Sequence, residues 1–220
     1  FALMEKAIVE NVEITLVFPC MREFQVEERG KLLKKVDNWC EKRQTRVEIL
    51  VNDWGMTALV KESGKHLEPC LGVLLNKQKK DPRMRYKKGS TRGLGESNLQ
   101  ADFYRTFLKD TYGITRYEWE SCGYPQVFPQ GKNSLHLPYY QTNTSQYCPL
   151  HASCTEGERG KQRLPEHCPG YCEQYAYLYP EHLHMAGRYN SLFGLDAELV
   201  KHPEKLKAYQ QAGIDRLVIG

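Results

Sequence analysis

The chain reads as an α/β protein: a parallel sheet or an incomplete β/α barrel, with a cysteine-rich segment in its second half. Three observations predict this. Short β-branched and apolar runs alternate with longer stretches whose apolar residues recur at three- and four-residue spacing. About six such runs are present, fewer than the eight strands of a closed barrel. Five of the eight cysteines fall between positions 122 and 172, four of them in one 25-residue window.

Val12 to Phe18 is a β-rich run closed by Pro19. Residues 24–43 predict a helix, with Leu32, Leu33, Val36, Trp39 and Cys40 on one apolar face. Arg46 to Val51 alternates as a strand and ends in Asn52-Asp53-Trp54-Gly55. Cys70 to Leu75 is the third strand expected and runs into a basic loop, 76–88. Ser97 caps a helix with Leu99, Phe103, Phe107 and Leu108 as its core face, and Gly113 stops it. Ile114 to Trp119 and Leu135 to Tyr140 are further strands, and residues 141–170 show no periodicity. A short helix is expected from Pro169 to about Tyr179, helical starts at Asp196 and Pro203, and a closing strand at Ile214 to Ile219. No repeat or linker divides the chain, so residues 1–220 read as one domain.

Composition narrows the classes. With 40% hydrophobic residues and a mean hydropathy of −0.63, the sequence suits a globular domain rather than a disordered one. No run approaches the roughly 18 apolar residues of a membrane helix, so no membrane insertion is expected. No basic-then-apolar leader is visible, but the chain opens at Phe1 rather than Met, so this absence proves little; a cytoplasmic setting is the expectation. On that ground the glycosylation triplet Asn143-Thr144-Ser145 reads as chance. A net charge of +4 does not by itself call for nucleic acid.

The cysteine spacing is Cys148-x5-Cys154-x13-Cys168-x3-Cys172. Thiolates are soft ligands, and four of them complete a tetrahedral zinc or an iron–sulfur cubane. A helical turn between Cys168 and Cys172 would place both on one face. Cys148 and Cys168 are each followed by proline, which fixes φ and helps turn a chain around a cluster. The absence of a Cys-x2-Cys knuckle favours iron–sulfur over zinc. Two disulfides or inert thiols are the other readings. His151 and His167 lie in the same stretch as alternative ligands or solvated loop residues.

Several segments resemble the U32 peptidase family of collagenase-like proteases. They are VEILVNDWGM (47–56), LGVLLNKQKKDPRM (71–84), CTEGERGKQRLPEHCPGYC (154–172), RYNSLFG (188–194) and GIDRLVIG (213–220), so the resemblance spans roughly residues 10–220. It implies a TIM-type (β/α) barrel, incomplete at the N-terminus, with a 4Fe–4S cluster on the cysteine-rich segment 141–180. It further implies oxygen-independent hydroxylation or related redox or sulfur chemistry on a small anionic or RNA substrate, in some members as a heterodimer of two family proteins. The family's two ligand patterns correspond to Cys148, Cys154, Cys168 and Cys172, which we favour, or to Cys40 in place of Cys148. The family's usual opening strand and helix have no counterpart, and the serine-glutamate segment of its RNA-modifying branch is absent, Ser97 being followed by Asn98 and Leu99.

Asn52, Asp53 and Trp54 follow a strand, where β/α barrels carry their active-site loops. Asp53 is a candidate catalytic acid or a helix cap, with Asn52 and Trp54 as substrate contacts. Glu118 and His136 lie within strands and are candidate catalytic residues if they face a barrel interior; Arg116 is placed to pair with Glu118. The resemblance makes Arg188 and Asn190 substrate-binding candidates, with Arg188 as a clamp for a carboxylate or phosphate. The loop 76–88, with seven positive charges and one negative, suits a phosphate backbone, Tyr86 stacking a base, or a solvated surface. A hydrolase remains an alternative by family name, although no nucleophile elbow or His-Glu-x-x-His motif occurs. So does a non-catalytic partner with a structural metal.

Overall fold

The structure, a computed structural model, describes residues 1–83, 93, 95–124, 126–165 and 167–220. The far part of the basic loop, Tyr86 included, lies outside the described residues. Contacts gather the chain into two compact units. The first comprises Phe1–Gln78, Glu96–Trp119 and Phe128–Ser134; the second comprises Lys79–Gly95, Glu120–Val127 and Leu135–Gly220.

The first unit runs α1 (Ala2–Val9), β1 (Thr15–Val17), α2 (Val26–Arg43), β2 (Val47–Val51), α3 (Trp54–Ser63), β3 (Leu67–Leu71), α4 (Asp102–Tyr112) and β4 (Arg116–Glu120). The strand β5 (Lys132–Leu137) begins in it. Strands β1 to β4 pair in sequence order, and each neighbouring pair is parallel. Side chains alternate across a strand, so Val47, Ile49 and Val51 share a face with their register partners Leu67, Pro69 and Leu71. That face is apolar and buried. Helix α3 packs on β2 and β3 with Met56 and Val60, and α2 packs on α3 with Leu33, Val36 and Cys40. The opposite face of the same strands carries Glu48, Glu68, Cys70, Arg116 and Glu118.

The sequence places the third strand at 70–75, but β3 covers Leu67–Leu71. At Gly72 the backbone passes so close to Asn52 that an added Cβ would stand 2.2 Å from its Oδ1, and the chain then turns back, Leu75 N donating to Gly72 O. Pro69 is tolerated inside a strand because β4 joins β3 at Leu71↔Tyr117, beyond the missing N–H. Helix α4 ends as expected at Gly113, whose φ of +74° suits a residue without Cβ. Only Leu99 and Leu108 of its expected core face are buried. Phe103 and Phe107 are exposed, Phe107 lying edge-on to Tyr112 at 5.7 Å.

The second unit contains β6 (Tyr139–Thr144), α5 (Pro149–Glu156), β7 (Tyr177–Leu178), β8 (Met185–Arg188), β9 (Ser191–Leu195), α6 (Ala197–Lys201), α7 (Leu206–Gln211) and β10 (Arg216–Ile219). Two sheets result: a six-stranded one in the order β1-β2-β3-β4-β5-β10 and a four-stranded one in the order β6-β9-β8-β7. The second sheet is antiparallel and was not expected. The single strand predicted at 135–140 is divided into β5 and β6 by Pro138, which has no N–H for either ladder. The helix expected from Pro169 to Tyr179 is one 3₁₀ turn, Tyr171–Glu173, entered from Gly170 at φ +74° and followed by β7. The helical start at Asp196 is confirmed: its Oδ1 accepts from Leu199 N at 3.1 Å and caps α6.

The architecture is thus mixed α/β, with a parallel run of strands compatible with part of a β/α barrel. No helix among the described residues is long and apolar enough to cross a membrane. One glycine tests the second sheet. A Cβ on Gly194 would stand 2.3 Å from Cζ of Tyr140, which is fully buried. Gly194→Ala is expected to destabilise the protein by about 2 kcal/mol or more, read from the midpoint of urea unfolding at unchanged m-value.

Candidate metal centre and adjoining pocket

In the second unit, α5 starts at Pro149, the residue after Cys148, because proline suits the first helical position. Cys148 is the N-cap, its Sγ accepting from His151 N at 3.4 Å, and Gly157 at φ +69° ends the helix. Cys154 therefore lies in the last turn of α5. Cys172 lies in the 3₁₀ turn Tyr171–Glu173, which packs on α5 and sets Tyr171 and His151 at a ring separation of 6.0 Å. The helical turn expected between Cys168 and Cys172 does not form, since Gly170 between them is left-handed. Cys154 and Cys168 are exposed, Cys148 and Cys172 half-buried, and all eight cysteines are free thiols.

The hairpin of β8 and β9 ties these pieces together. Its turn is Tyr189-Asn190, with Tyr189 at φ +55°, an uncommon conformation for a bulky residue. Arg188 Nε donates to Cys172 O at 3.0 Å, and Cys148 Sγ donates to Tyr189 O at 3.2 Å. Asn190 Nδ2 donates to Ser145 O, and Ser145 N returns a bond to Asn190 O at 3.0 Å. Arg188 at the end of β8 and the two turn residues thus hold the chain just before α5 and the chain at Cys172. Beside them is a cavity of about 180 Å³ whose lining includes Asn143, Arg159, Gln162, Tyr177, Tyr189 and Asn190.

The four late cysteines suit a soft metal group by donor chemistry alone: all are free thiols and two are exposed, and the hairpin turn bonds Cys148 and the Cys172 backbone. A single tetrahedral zinc would need sulfurs about 2.3 Å from the ion and hence nearly touching one another. Among the described residues, the group of three His, Cys, Asp or Glu side chains whose ligand atoms lie within 4.8 Å of one another is instead Glu48, Cys70 and Glu118.

That second donor set is in the first unit, on the polar face of β2, β3 and β4. Cys70 Sγ donates to Glu118 Oε1 at 3.5 Å, and Glu118 is fully buried. Glu48 accepts from Thr15 Oγ1 at 2.9 Å and pairs with Arg116 Nε at 3.5 Å; Arg116 Nη1 also donates to Ser134 Oγ at 3.1 Å. Two carboxylates and a thiol can hold a divalent ion, and the guanidinium of Arg116 already compensates part of their charge. The spacing of Glu48 among Val47, Ile49 and Val51 was the signal available in the sequence; Cys70 carried none.

Other candidates are placed as follows. Asp53 caps α3, Oδ1 accepting from Met56 N at 2.7 Å, while Oδ2 accepts from Met21 N at 2.7 Å. Asn52 donates to Phe18 O at 3.2 Å and accepts from Leu74 N at 3.4 Å, so it joins the ends of β1 and β3. Trp54 is partly exposed against Tyr112. His136 lies in β5, its carbonyl accepting from Ser121 N at 2.9 Å. In the described part of the basic loop, Lys80 forms a buried ion pair with Glu120, and Arg83 pairs with Asp81 at 2.6 Å. Cys40 is fully buried on the core face of α2, and burial, followed by the nearby Asp37 carboxylate, pushes its thiol pKa up.

No family model, curated protein or solved structure matches the chain.

Two outcomes follow from these placements. Under native conditions a maleimide should label Cys154 and Cys168 before Cys40, Cys70 and Cys122, and all eight cysteines once denatured, as read by mass spectrometry. Asp53→Ala should cost about 2 kcal/mol of stability through the lost cap and the bond to Met21, measured by urea unfolding.

Proposed function

We propose that the chain is an iron–sulfur protein of the U32 type, with a TIM-type barrel, that performs oxygen-independent hydroxylation or related redox or sulfur chemistry. The observation that supports it best is local placement: Cys148 caps α5, Cys154 lies in its last turn, and Cys172 lies in the 3₁₀ turn that packs on that helix, with Cys168 four residues before it. Cys148, Cys154, Cys168 and Cys172 would hold a 4Fe–4S cluster, and such a cluster supplies one-electron transfer when bound.

The remaining roles belong to the chain itself. Arg188 fixes the Cys172 backbone, and the Tyr189 carbonyl accepts a hydrogen bond from the Cys148 thiol and so orients it. The polar cavity beside Asn190 receives the substrate, a small anion or an RNA group. Cys40 is the weaker fourth ligand, because its thiolate would have to form inside an apolar core. A second family member as heterodimer partner and a cytoplasmic setting complete the proposal.

The test is iron and acid-labile sulfide on protein purified without oxygen. About four of each per chain are expected. Cys148→Ser should lower the iron content, and Cys40→Ser should leave it unchanged. One zinc with no sulfide would remove the redox reading; iron lost from Cys40→Ser alone would move the fourth ligand to Cys40.

A further inference from the structure

We infer that the cavity beside the cysteine segment binds a small monocarboxylate, and that Arg159, not Arg188, recognises its charge. The inference builds on the proposed site and names its ligand class.

Arg188 has other work: its Nε donates to Cys172 O and its guanidinium lies 5.2 Å from the centre of the Tyr189 ring. It does not line the cavity, whereas Arg159 does. The guanidinium of Arg159 lies 4.9 Å from the centre of the Tyr177 ring, and its Nη2 donates to Tyr179 Oη at 3.0 Å. One of five donors is used, and ring and hydroxyl fix the plane of the fork.

The neighbouring charges are compensated, while Arg159 has no carboxylate partner among the described residues. Arg163 pairs with Glu156, and Lys161 with Glu158 at 3.2 Å. Among the described residues no carboxylate lies within 4.0 Å of Arg159. A single planar cation matches one carboxylate, bidentately; a doubly charged phosphate would ask for more.

The rest of the lining sets size and polarity. About 180 Å³ is below the usual range for drug-sized ligands, so the occupant is compact. Tyr177 and Leu192 offer apolar surface, and the Asn143 and Gln162 amides can meet a hydroxyl or carbonyl on the ligand body. A strand of RNA would engage such a cavity with at most one base.

Isothermal titration of the whole chain with benzoate, inorganic phosphate and a short single-stranded RNA tests this. Benzoate should bind, and phosphate more weakly. Arg159→Gln should weaken benzoate about tenfold or more, the loss of one charge-assisted bond. Arg159→Lys should restore part of the loss, and Arg188→Gln should change binding less than about twofold on the same scale. Tyr179→Phe removes the hydroxyl contact of Arg159 but keeps the cation and its Tyr177 ring contact, so a loss there smaller than in Arg159→Gln is expected. Benzoate binding unaffected by Arg159→Gln, or lost equally in Arg188→Gln, contradicts the inference. So does RNA binding that benzoate does not displace. A chain that binds benzoate through Arg159 yet holds no iron keeps this inference and removes the cluster reading.

Discussion

The alternation of side chains across a parallel strand is the constraint on which the first unit depends. Once Val47, Ile49 and Val51 are committed to the face beneath α3, Glu48 must go to the other. The same holds for Cys70 beside Leu71, and for Glu118 beside Tyr117 and Trp119. A fully buried carboxylate is costly unless its oxygens are bonded. The thiol of Cys70 bonds Glu118, while Thr15 and Arg116 bond the neighbouring Glu48. A shift of one residue in the register would put these polar groups against the helices and expose the apolar ones, so the network also fixes the register of the strands.

The second unit solves a different problem. Its cysteine segment has little regular structure of its own, and what order it has comes from a helix cap at Cys148 and a two-residue hairpin turn. The turn places a bulky residue, Tyr189, at positive φ, a strain that its contacts offset: the Tyr189 carbonyl meets Cys148 Sγ, and the Asn190 side chain meets Ser145. Cys148 and Cys172, held this way, stay partly accessible while their backbone is fixed.

Much of the first unit was legible in the sequence. The three- and four-residue spacing of α2, the alternation of β2 and the Gly113 stop of α4 are local properties, whereas Ser97 caps the 3₁₀ turn Asn98–Gln100 and α4 begins after Ala101 without a side-chain cap. The extent of β3 was not, because it depends on the close approach of Gly72 to Asn52. The exposure of Phe103 and Phe107 was not either, since an apolar spacing says which residues share a face and not whether the face is covered. The antiparallel sheet was missed because β7 and β8 are two and four residues long and carry too little periodicity to count. Among the site residues, the cysteine segment was marked by spacing alone. The roles of Asp53 and Asn52 as ties between strand ends, and the pairing of Glu48 with Cys70 and Glu118, are tertiary facts that only the pairing of β1 to β4 creates.

Among the described residues one thiol and two carboxylates lie together in the first unit, and the second unit carries the four thiols proposed as cluster ligands. Soft thiolates favour an iron–sulfur cluster, and the mixed set a single divalent ion. X-ray absorption at the iron edge of protein loaded with iron and sulfide without oxygen separates them directly. The account predicts a first shell of sulfur alone, with iron neighbours beyond it. A shell mixing oxygen with sulfur and lacking iron neighbours, retained in Cys148→Ser and lost in Glu118→Gln, would place the metal on Glu48, Cys70 and Glu118 and contradict the proposed cluster.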